Sequence, residues 1–565
     1  MTALAVMTDV GVNAGAAQEP RDRVPIAQVC TPRAPCDDKT LAHVLGRVTF
    51  GVRAGDVERL QRIGVTEFID QQLHPERIDD RAFEARLQKL ETLNLSTREI
   101  AEEYFLPARQ ARQERKREQA AQSTSPPGDT QNPPAPNAAL RDPAMLKLRQ
   151  VMVELDEQKL LRAIYSERQL QEGLVDFWFN HFNVFAGKGP ERIMLMSYER
   201  DVIRPNVLGK FRDLLGATAH SPAMLFYLDN WLSVDPVAAA RVAQRTTETR
   251  DRLNTRRRQF GFVTPRRQAP PNGQQQQPKT PRRTGLNENY ARELMELHTL
   301  GVDGGYTQHD VTEVARAFTG WTIGAPRQGA GFRFDARLHD NGDKVALGHT
   351  LNAGGQKDGE QVLDILARHP STARFISTKL ARRFVSDAPP PSLIDRTARR
   401  FQDTDGDLRE VVRTILTSQE FYDQSAYRAK VKNPFEFVVS AVRATNADVK
   451  HAAFLARTLQ QLGMPLFMSQ PPTGYADRAD AWVNTGALVN RMSFAVSLAD
   501  NKIPGIRLDV RSLSGKEDTA SAREHLVRTL LRGDVSTATM ATLTKANEIT
   551  KLTALTIGAP EFQRR

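Results

Sequence analysis

Apolar residues recur every three or four positions along most of this chain, which is the period of an amphipathic helix. Val311, Val314 and Phe318 form one such stripe. Thr307, with Asp310 three residues later, is a variant of the capping box that starts a helix. Patterns of this kind fill most of the sequence. We therefore predict a mainly α fold, a large multi-helix body.

One stretch departs from the helical pattern. Phe332 and Phe334 alternate with polar residues, and Asn341 and Gly342 further on are typical of a turn. We therefore predict one small β-hairpin within residues 322–351.

Two low-complexity stretches interrupt the helical patterns. They are rich in Pro, Gln or Arg and lie at about 107–143 and 233–283. Such composition cannot bury a core, so we predict two disordered insertions. We expect a signal-like or linker N-terminus over 1–36 and a single large helical domain over 37–565.

The formal net charge of +11 is concentrated in the second insertion. Residues 240–283 hold twelve Arg or Lys against Glu248 and Asp251, so they carry +10 of that charge. The basicity belongs to a low-complexity segment and not to a folded face, which argues against a nucleic-acid-binding protein. Non-specific nucleic-acid binding through this insertion is kept as an alternative. No window approaches the twenty apolar residues of a transmembrane helix.

The first 18 residues are apolar and small, and they end in an alanine-rich stretch typical of a secretory cleavage site. A basic start is missing and Asp9 interrupts the apolar run, so one hypothesis is that the true start lies upstream. We expect an exported protein, periplasmic or extracellular, with the cytoplasm as the alternative. Cys30 and Cys36 enclose two prolines, which favours a disulfide loop over a metal clip, while two unpaired thiols stay possible.

Residues 287–301 predict a strong helix that ends at Gly301. Glu293 and Glu296 share one stripe with Arg292 beside them, and His298 falls on the other side. Two carboxylates one turn apart could serve as general acid and base. The alternative is a structural network in which Arg292 neutralises Glu296.

Histidines offer a second kind of chemistry. His298 lacks the helical spacing to share a metal with Glu293 or Glu296, so a metal site would need ligands from elsewhere, such as His339 and Asp340. A divalent metal held by His298, His339 and Asp340 is the resulting hypothesis. His181 lies on an aromatic stripe, which favours a core histidine with a lowered pKa over a ligand.

The chain resembles the bacterial family called domain of unknown function 1800. The resemblance rests on residues 45–51, 177–182, 287–301, 304–307, 315–321, 339–340, 369–373 with Lys379 and Leu380, and 482–491. It implies a large, mainly helical, exported bacterial protein. It gives no catalytic residues to carry over, because the family's activity is unassigned. It also implies a possible partner, a sulfatase-like protein of the family called domain of unknown function 1501.

Two functions follow as hypotheses. The first is an accessory protein that works with the sulfatase-like partner. The second is a metal-dependent or carboxylate-based hydrolase, with its site formed by Glu293, Glu296, His298, His339 and Asp340.

Overall fold

The computed structural model describes residues 36–122, 142–241, 285–352, 354–515 and 518–565, with the single positions 244, 248 and 252. Within these ranges the chain consists mainly of α-helices, which confirms the fold class predicted from the helical period. The signal-like segment and most of both insertions lie outside the described residues, so their predicted export and disorder stay predictions.

Eight helices make up the first part of the fold. Asp37 starts the first helix because its side chain accepts a hydrogen bond from the backbone of Thr40 at 2.8 Å. The eight are α1 Asp38–Val48, α2 Asp56–Ile63, α3 Val65–Leu73, α4 Arg81–Leu87, α5 Thr97–Ile100, α6 Leu106–Gln122, α7 Pro143–Tyr165 and α8 Gln169–His181. The helix α6 covers the start of the segment predicted as the first disordered insertion, so that prediction is wrong for residues 107–122.

Seven α-helices with both ends among the described residues follow in the middle of the chain. They are α9 Leu195–Ser197, α10 Phe211–His220, α11 Pro222–Tyr227, α12 Glu288–Glu296, α13 Gln308–Ala317, α14 Gln356–Arg368 and α15 Pro370–Phe384. The predicted capping box of α13 is confirmed, since the backbone N–H of Thr307 donates to Asp310 at 2.8 Å and that of Asp310 donates to Thr307 at 3.3 Å. The predicted stripe of this helix is fully buried.

The strands are short and antiparallel. Where the sequence predicted one hairpin there are two, β1 Trp321–Ile323 with β2 Phe332–Phe334 and β3 Lys344–Ala346 with β4 His349–Leu351. A third pair, β5 Asp448–Val449 with β6 Ile506–Arg507, was not predicted. Asn341 and Gly342 precede β3 instead of joining two strands. The turn uses Leu347 and Gly348, both with positive φ, as a tight hairpin requires.

Ten further helices lie in the last part of the described chain. They are α16 Pro391–Asp403, α17 Leu408–Leu416, α18 Gln419–Tyr422, α19 Pro434–Ala444, α20 Ala453–Gln461, α21 Thr485–Ala499, α22 Val510–Ser514, α23 Thr519–Leu530, α24 Thr537–Thr544 and α25 Ile549–Gly558. The first of them, α16, packs against α15, and α21 packs against α25 at the end of the chain. One contiguous cluster of buried apolar side chains reaches from Leu41 to Phe562. Among the described helices, none has the length and apolar character needed to cross a bilayer.

Candidate functional site

The helix that carries Glu296 is shorter than predicted. It ends at Glu296 and not at Gly301. The Thr299 hydroxyl donates to the carbonyl of Leu294 at 2.7 Å and so occupies an acceptor that a further helical turn would use. His298 therefore lies in the turn after the helix, where it is buried.

Glu293 and Glu296 lie half-buried on α12, one turn apart. Burial raises the pKa of Glu293, the charge of Glu296 adds to the shift, and Arg292 opposes it. Arg292 donates to the side chain of Gln308 at 2.8 Å. Glu296 accepts a hydrogen bond from the hydroxyl of Tyr306 at 3.3 Å. Within the described residues, the Arg292–Glu296 ion pair expected for a structural network is not formed.

His339 and Asp340 belong to a different network, beside β3. The Nε2 of His339 lies 3.2 Å from a carboxylate oxygen of Asp358, and the ammonium of Lys344 donates to the same oxygen at 2.9 Å. Asp340 accepts a hydrogen bond from Arg316 at 2.7 Å. Each of these side chains thus has a hydrogen-bond or ion-pair partner within the network, as in a structural polar network.

The structure does not gather the three predicted metal ligands. Across the described ranges, no three His, Cys, Asp or Glu side chains are placed to hold one metal ion. His298, His339 and Asp340 therefore do not form such a group. A catalytic role for these residues, and for Glu293 and Glu296, stays a prediction.

Three segments that carry the family resemblance instead meet around His181, at the end of α8. Its Nε2 lies 3.1 Å from the backbone carbonyl of His298, and its Nδ1 lies 2.8 Å from the Nζ of Lys379. A carbonyl only accepts, so Nε2 carries the proton and Nδ1 accepts from the lysine. Burial, followed by the charge of Lys379, places the pKa of His181 well below its usual range. The predicted core histidine with a lowered pKa is thus confirmed.

His298 completes this cluster from the other side. Its ring centroid lies 5.0 Å from that of Phe182 and 6.2 Å from that of His181. Burial lowers the pKa of His298 to about 3, and the charge of Lys379 adds to the shift. Its Nε2 is buried, and no group in the described part of the chain forms a hydrogen bond with it.

Lys379 is the most unusual titratable group of the cluster. It is half-buried on α15, with its Nζ 5.5 Å from the centroid of the Phe375 ring. Burial lowers the pKa of Lys379 to about 8, Asp477 opposes this shift, and Arg382 adds to it. A lysine with this pKa is partly uncharged near neutral pH, which is a common property of catalytic lysines.

A small cavity lies beside this cluster and is here called the site cavity. Arg383 in its wall is one helical turn beyond Lys379, and Asn180 in its wall precedes His181, whereas Lys379 and His181 themselves are not part of the lining. One carboxylate oxygen of Asp477 bonds to Lys430, whereas the other is buried without a hydrogen-bond partner among the described residues. The polar wall consists of Lys159, Asp176, Asn180, Asn183, Arg383, Asn433, Tyr475 and Asp477.

Two asparagines of α8 and its end fix the loop that closes the site cavity. Asn180 donates to the carbonyl of Tyr475 and accepts from its backbone N–H, both at 2.6 Å. The side chain of Asn183 donates to the carbonyls of Ser469 and Pro471 at 3.0 and 2.9 Å. The amide side chains thus replace backbone pairing, and they position the loop against α8.

Gly474 permits the close approach of this loop. Its φ of +69° is in the left-handed region, and a Cβ there would lie 2.3 Å from the backbone oxygen of Asn180. Any other residue would push the loop away from α8.

The sequence alone pointed to His181 and His298, but it gave no role to Lys379, the other partner of His181. Lys379 and Asn180 were noted only as members of the segments that carry the resemblance, and Asp477 was not noted. The contact between Lys379 and His181 joins residues 198 positions apart, so no local period reveals it. The one signal in the sequence is that His181, His298 and Lys379 all lie in segments that carry the family resemblance.

The architecture and this site define a large, mainly helical protein in which a buried histidine contacts a half-buried lysine beside a polar cavity. The chain belongs to the family described as protein of unknown function (DUF1800), which matches residues 43–564, nearly the whole chain. The resemblance read from the motifs is thereby confirmed. No curated protein and no solved structure matches the chain.

We predict that Asn183→Ala loosens the loop over the site cavity. The buried carbonyl of Ser469 and the part-buried carbonyl of Pro471 lose their donor, so the free energy of unfolding should fall by about 1–3 kcal/mol. Denaturant unfolding measures the loss, and limited proteolysis within residues 464–477 should become faster. Asn490→Ala is the matched control, because the exposed Asn490 donates one bond to the carbonyl of Gln461. Equal stability of the two variants would contradict the assigned role.

Proposed function

We propose that this protein is a hydrolase-type enzyme in which Lys379 is the general base for a substrate held in the site cavity. The observation that carries the proposal is the 2.8 Å contact between the Nζ of Lys379 and the Nδ1 of His181. One N–H of the uncharged amine donates to this imidazole. The lone pair of the amine then remains free to take a proton from water, which attacks the substrate.

The walls of the site cavity support a polar substrate. Lys159 and Arg383 supply positive charge, while Asp176 and Asp477 supply negative charge. Lys159 and Asp176 already pair at 2.9 Å, which leaves the unbonded oxygen of Asp477 as the acceptor offered to a donor group of the substrate. We infer a substrate with a hydrogen-bond donor close to the bond that is hydrolysed. Glu293, whose pKa is raised, is kept as a candidate proton donor.

We predict that Lys379→Met lowers turnover at least about 100-fold, the typical contribution of a general base. A panel of carboxylic esters, phosphate and sulfate monoesters, and peptides provides the substrates. Wild-type activity should rise with pH through about 8, as the ammonium of Lys379 loses its proton. Lys379→Arg should be equally inactive, because arginine keeps its charge. Lys551→Met, at an exposed lysine, is the matched control.

Stability measurements show whether Lys379→Met acts on catalysis or on the fold. The folded-state pKa of Lys379, about 8, lies below the value of about 10.4 for an unfolded lysine. The unfolded chain therefore binds more protons between these values, and wild-type stability should gain from this group as pH rises through that window. Lys379→Met should lack this gain. Turnover that survives the substitution, or no turnover of any substrate class, would contradict the proposal.

A partner-binding role is the second candidate, and one surface favours it. Leu488, Val489 and Val496 of α21 are exposed, as is Val483 just before the helix, and Val489 is 59% exposed. This surface is here called the α21 apolar face. Exposed apolar side chains that cluster are typical of protein-binding surfaces. We propose that the α21 apolar face binds the sulfatase-like partner implied by the family resemblance.

We predict that Val489→Asp weakens binding to the purified sulfatase-like protein about tenfold or more, because a charge would be buried in the interface. Titration calorimetry with the two purified proteins measures the affinity. Val302→Asp is the matched control, since Val302 is 70% exposed on a different segment. Equal affinity of both variants, or no binding by the unchanged protein, would refute this role.

Export is proposed on the basis of Cys36. This residue is disulfide-bonded, and the chain holds only one other cysteine, Cys30, which lies outside the described residues. Disulfides persist in oxidising compartments, which supports an exported protein. Detection of an intact Met1 on cytoplasmic protein would refute export. The basic insertion also lies mostly outside the described residues, so non-specific nucleic-acid binding stays a prediction.

A further inference from the structure

A second cavity, of about 80 Å³, lies among α1, α19, α23 and the last residues of the chain. It is here called the basic cavity. This volume exceeds what a single water molecule needs. Its charged lining consists of five cations and one carboxylate, namely Arg428, Lys432, Arg532, Arg564, Arg565 and Glu561. Positive charge therefore dominates its wall.

Lys432 is the central observation. Its side chain is only 8% exposed, and its Nζ lies 4.0 Å from the centroid of the Phe562 ring. Within the described residues, no carboxylate lies at ion-pair distance from this ammonium. Burial lowers the pKa of Lys432 to about 7; Glu436 opposes the shift, and Arg565 is the first of the nearby arginines that add to it. A buried ammonium without an anionic partner is costly, so the site lacks a negative charge.

The one carboxylate of the lining, that of Glu561, does not form an ion pair with Lys432. The carboxylate of Glu561 accepts from the backbone of Ser536 at 2.9 Å and from the hydroxyl of Thr539 at 3.0 Å, at the start of α24. The guanidinium of Arg532 forms no hydrogen bond or ion pair with the described residues. Arg428 is already engaged, because it donates to the carbonyl of Leu531 at 2.8 Å and lies 3.4 Å from the carboxylate of Asp534.

The remaining arginine of the interior wall, Arg565, is paired with Glu436 at 2.9 Å. Unpaired polar atoms also lie on α1, among the described residues. The Nε and Nη1 of Arg47 are buried donors without a hydrogen-bond partner. One helical turn away, the Nε2 of His43 donates to the carbonyl of Phe421 at 2.7 Å, so the buried and unpaired Nδ1 of His43 is an acceptor. His43 itself lines the cavity.

We propose that the basic cavity binds a small oxyanion, a phosphate or sulfate group, through Lys432 and Arg532. Such a group carries the missing negative charge and has several acceptor oxygens for ammonium and guanidinium donors. Arg564 is exposed and lies in the same lining, so it can receive the oxyanion as it enters. The oxyanion can be a free ion or the terminal group of a larger molecule.

The test is titration calorimetry on the full chain with inorganic phosphate, inorganic sulfate and phenyl phosphate, at constant ionic strength. We expect saturable binding, and Lys432→Met should weaken it about tenfold or more, because a charge-assisted contact is lost. Arg532→Gln gives a second variant that leaves the buried lysine in place. Lys545→Met, at an exposed lysine, is the matched control and should bind like the unchanged protein.

The ligands distinguish the two sources. Binding of the inorganic ions alone assigns the cavity to a free oxyanion, and binding of phenyl phosphate as well assigns it to the head of a larger molecule. Both results support the proposal. Absence of saturable binding by all three ligands would overturn it. The proposal is also overturned if Lys432→Met and Arg532→Gln bind as tightly as Lys545→Met. A cooperative melting transition of each variant shows that it is folded.

Discussion

The carboxylate of Glu436 holds together a part of the core that is rich in buried positive charge. It accepts hydrogen bonds from Arg383 of α15 and Arg565 near the end of the chain, and its helix α19 begins with a capping box to Asn433. Burial alone would raise the pKa of Glu436, but Arg565 and Arg383 outweigh it and bring the value to about 2. Loss of such a carboxylate would leave uncompensated charges in the interior, which is strongly destabilising.

Both cavities depend on this carboxylate. Arg383 lies in the wall of the site cavity and Arg565 in the wall of the basic cavity, so Glu436 fixes one guanidinium in each. The lysines near them, Lys379 and Lys432, both have a lowered pKa, and burial is the main cause of each shift. Nearby arginines add to it, while one carboxylate opposes it, Asp477 for Lys379 and Glu436 for Lys432. A lysine with a pKa lowered to about 8 and a cavity lined mainly by cations are the two chemical features that the fold provides.

The sequence was informative where local rules decide the structure. The pairing of Thr307 with Asp310 and the aromatic stripe around His181 follow from helical spacing and capping, and both are confirmed. The predicted end of α12 at Gly301 was wrong, because the Thr299 hydroxyl bonds to a backbone carbonyl that a longer helix would use. The number and positions of the hairpins were also predicted incorrectly, because strands of three residues are too short to show a clear alternation of apolar and polar residues.

The candidate site was predictable only in part, for a physical reason. Its contacts join side chains that lie far apart along the chain, and each helix alone gives no sign of them. The sequence drew attention to Glu293 and Glu296, which share a visible stripe. The structure adds Lys379, whose pKa depends on burial and on charges brought in by other helices. Electrostatic environment is a tertiary property, so composition and period cannot reveal it.

The ionisation of Lys379 in the folded protein tests this account most directly. Protein labelled with ¹³C at the lysine side chains allows the Cε signal of Lys379 to be followed with pH, and Lys379→Met identifies that signal by its loss. The account predicts a midpoint near pH 8. A midpoint near 10.4, the value of an ordinary exposed lysine, would contradict it.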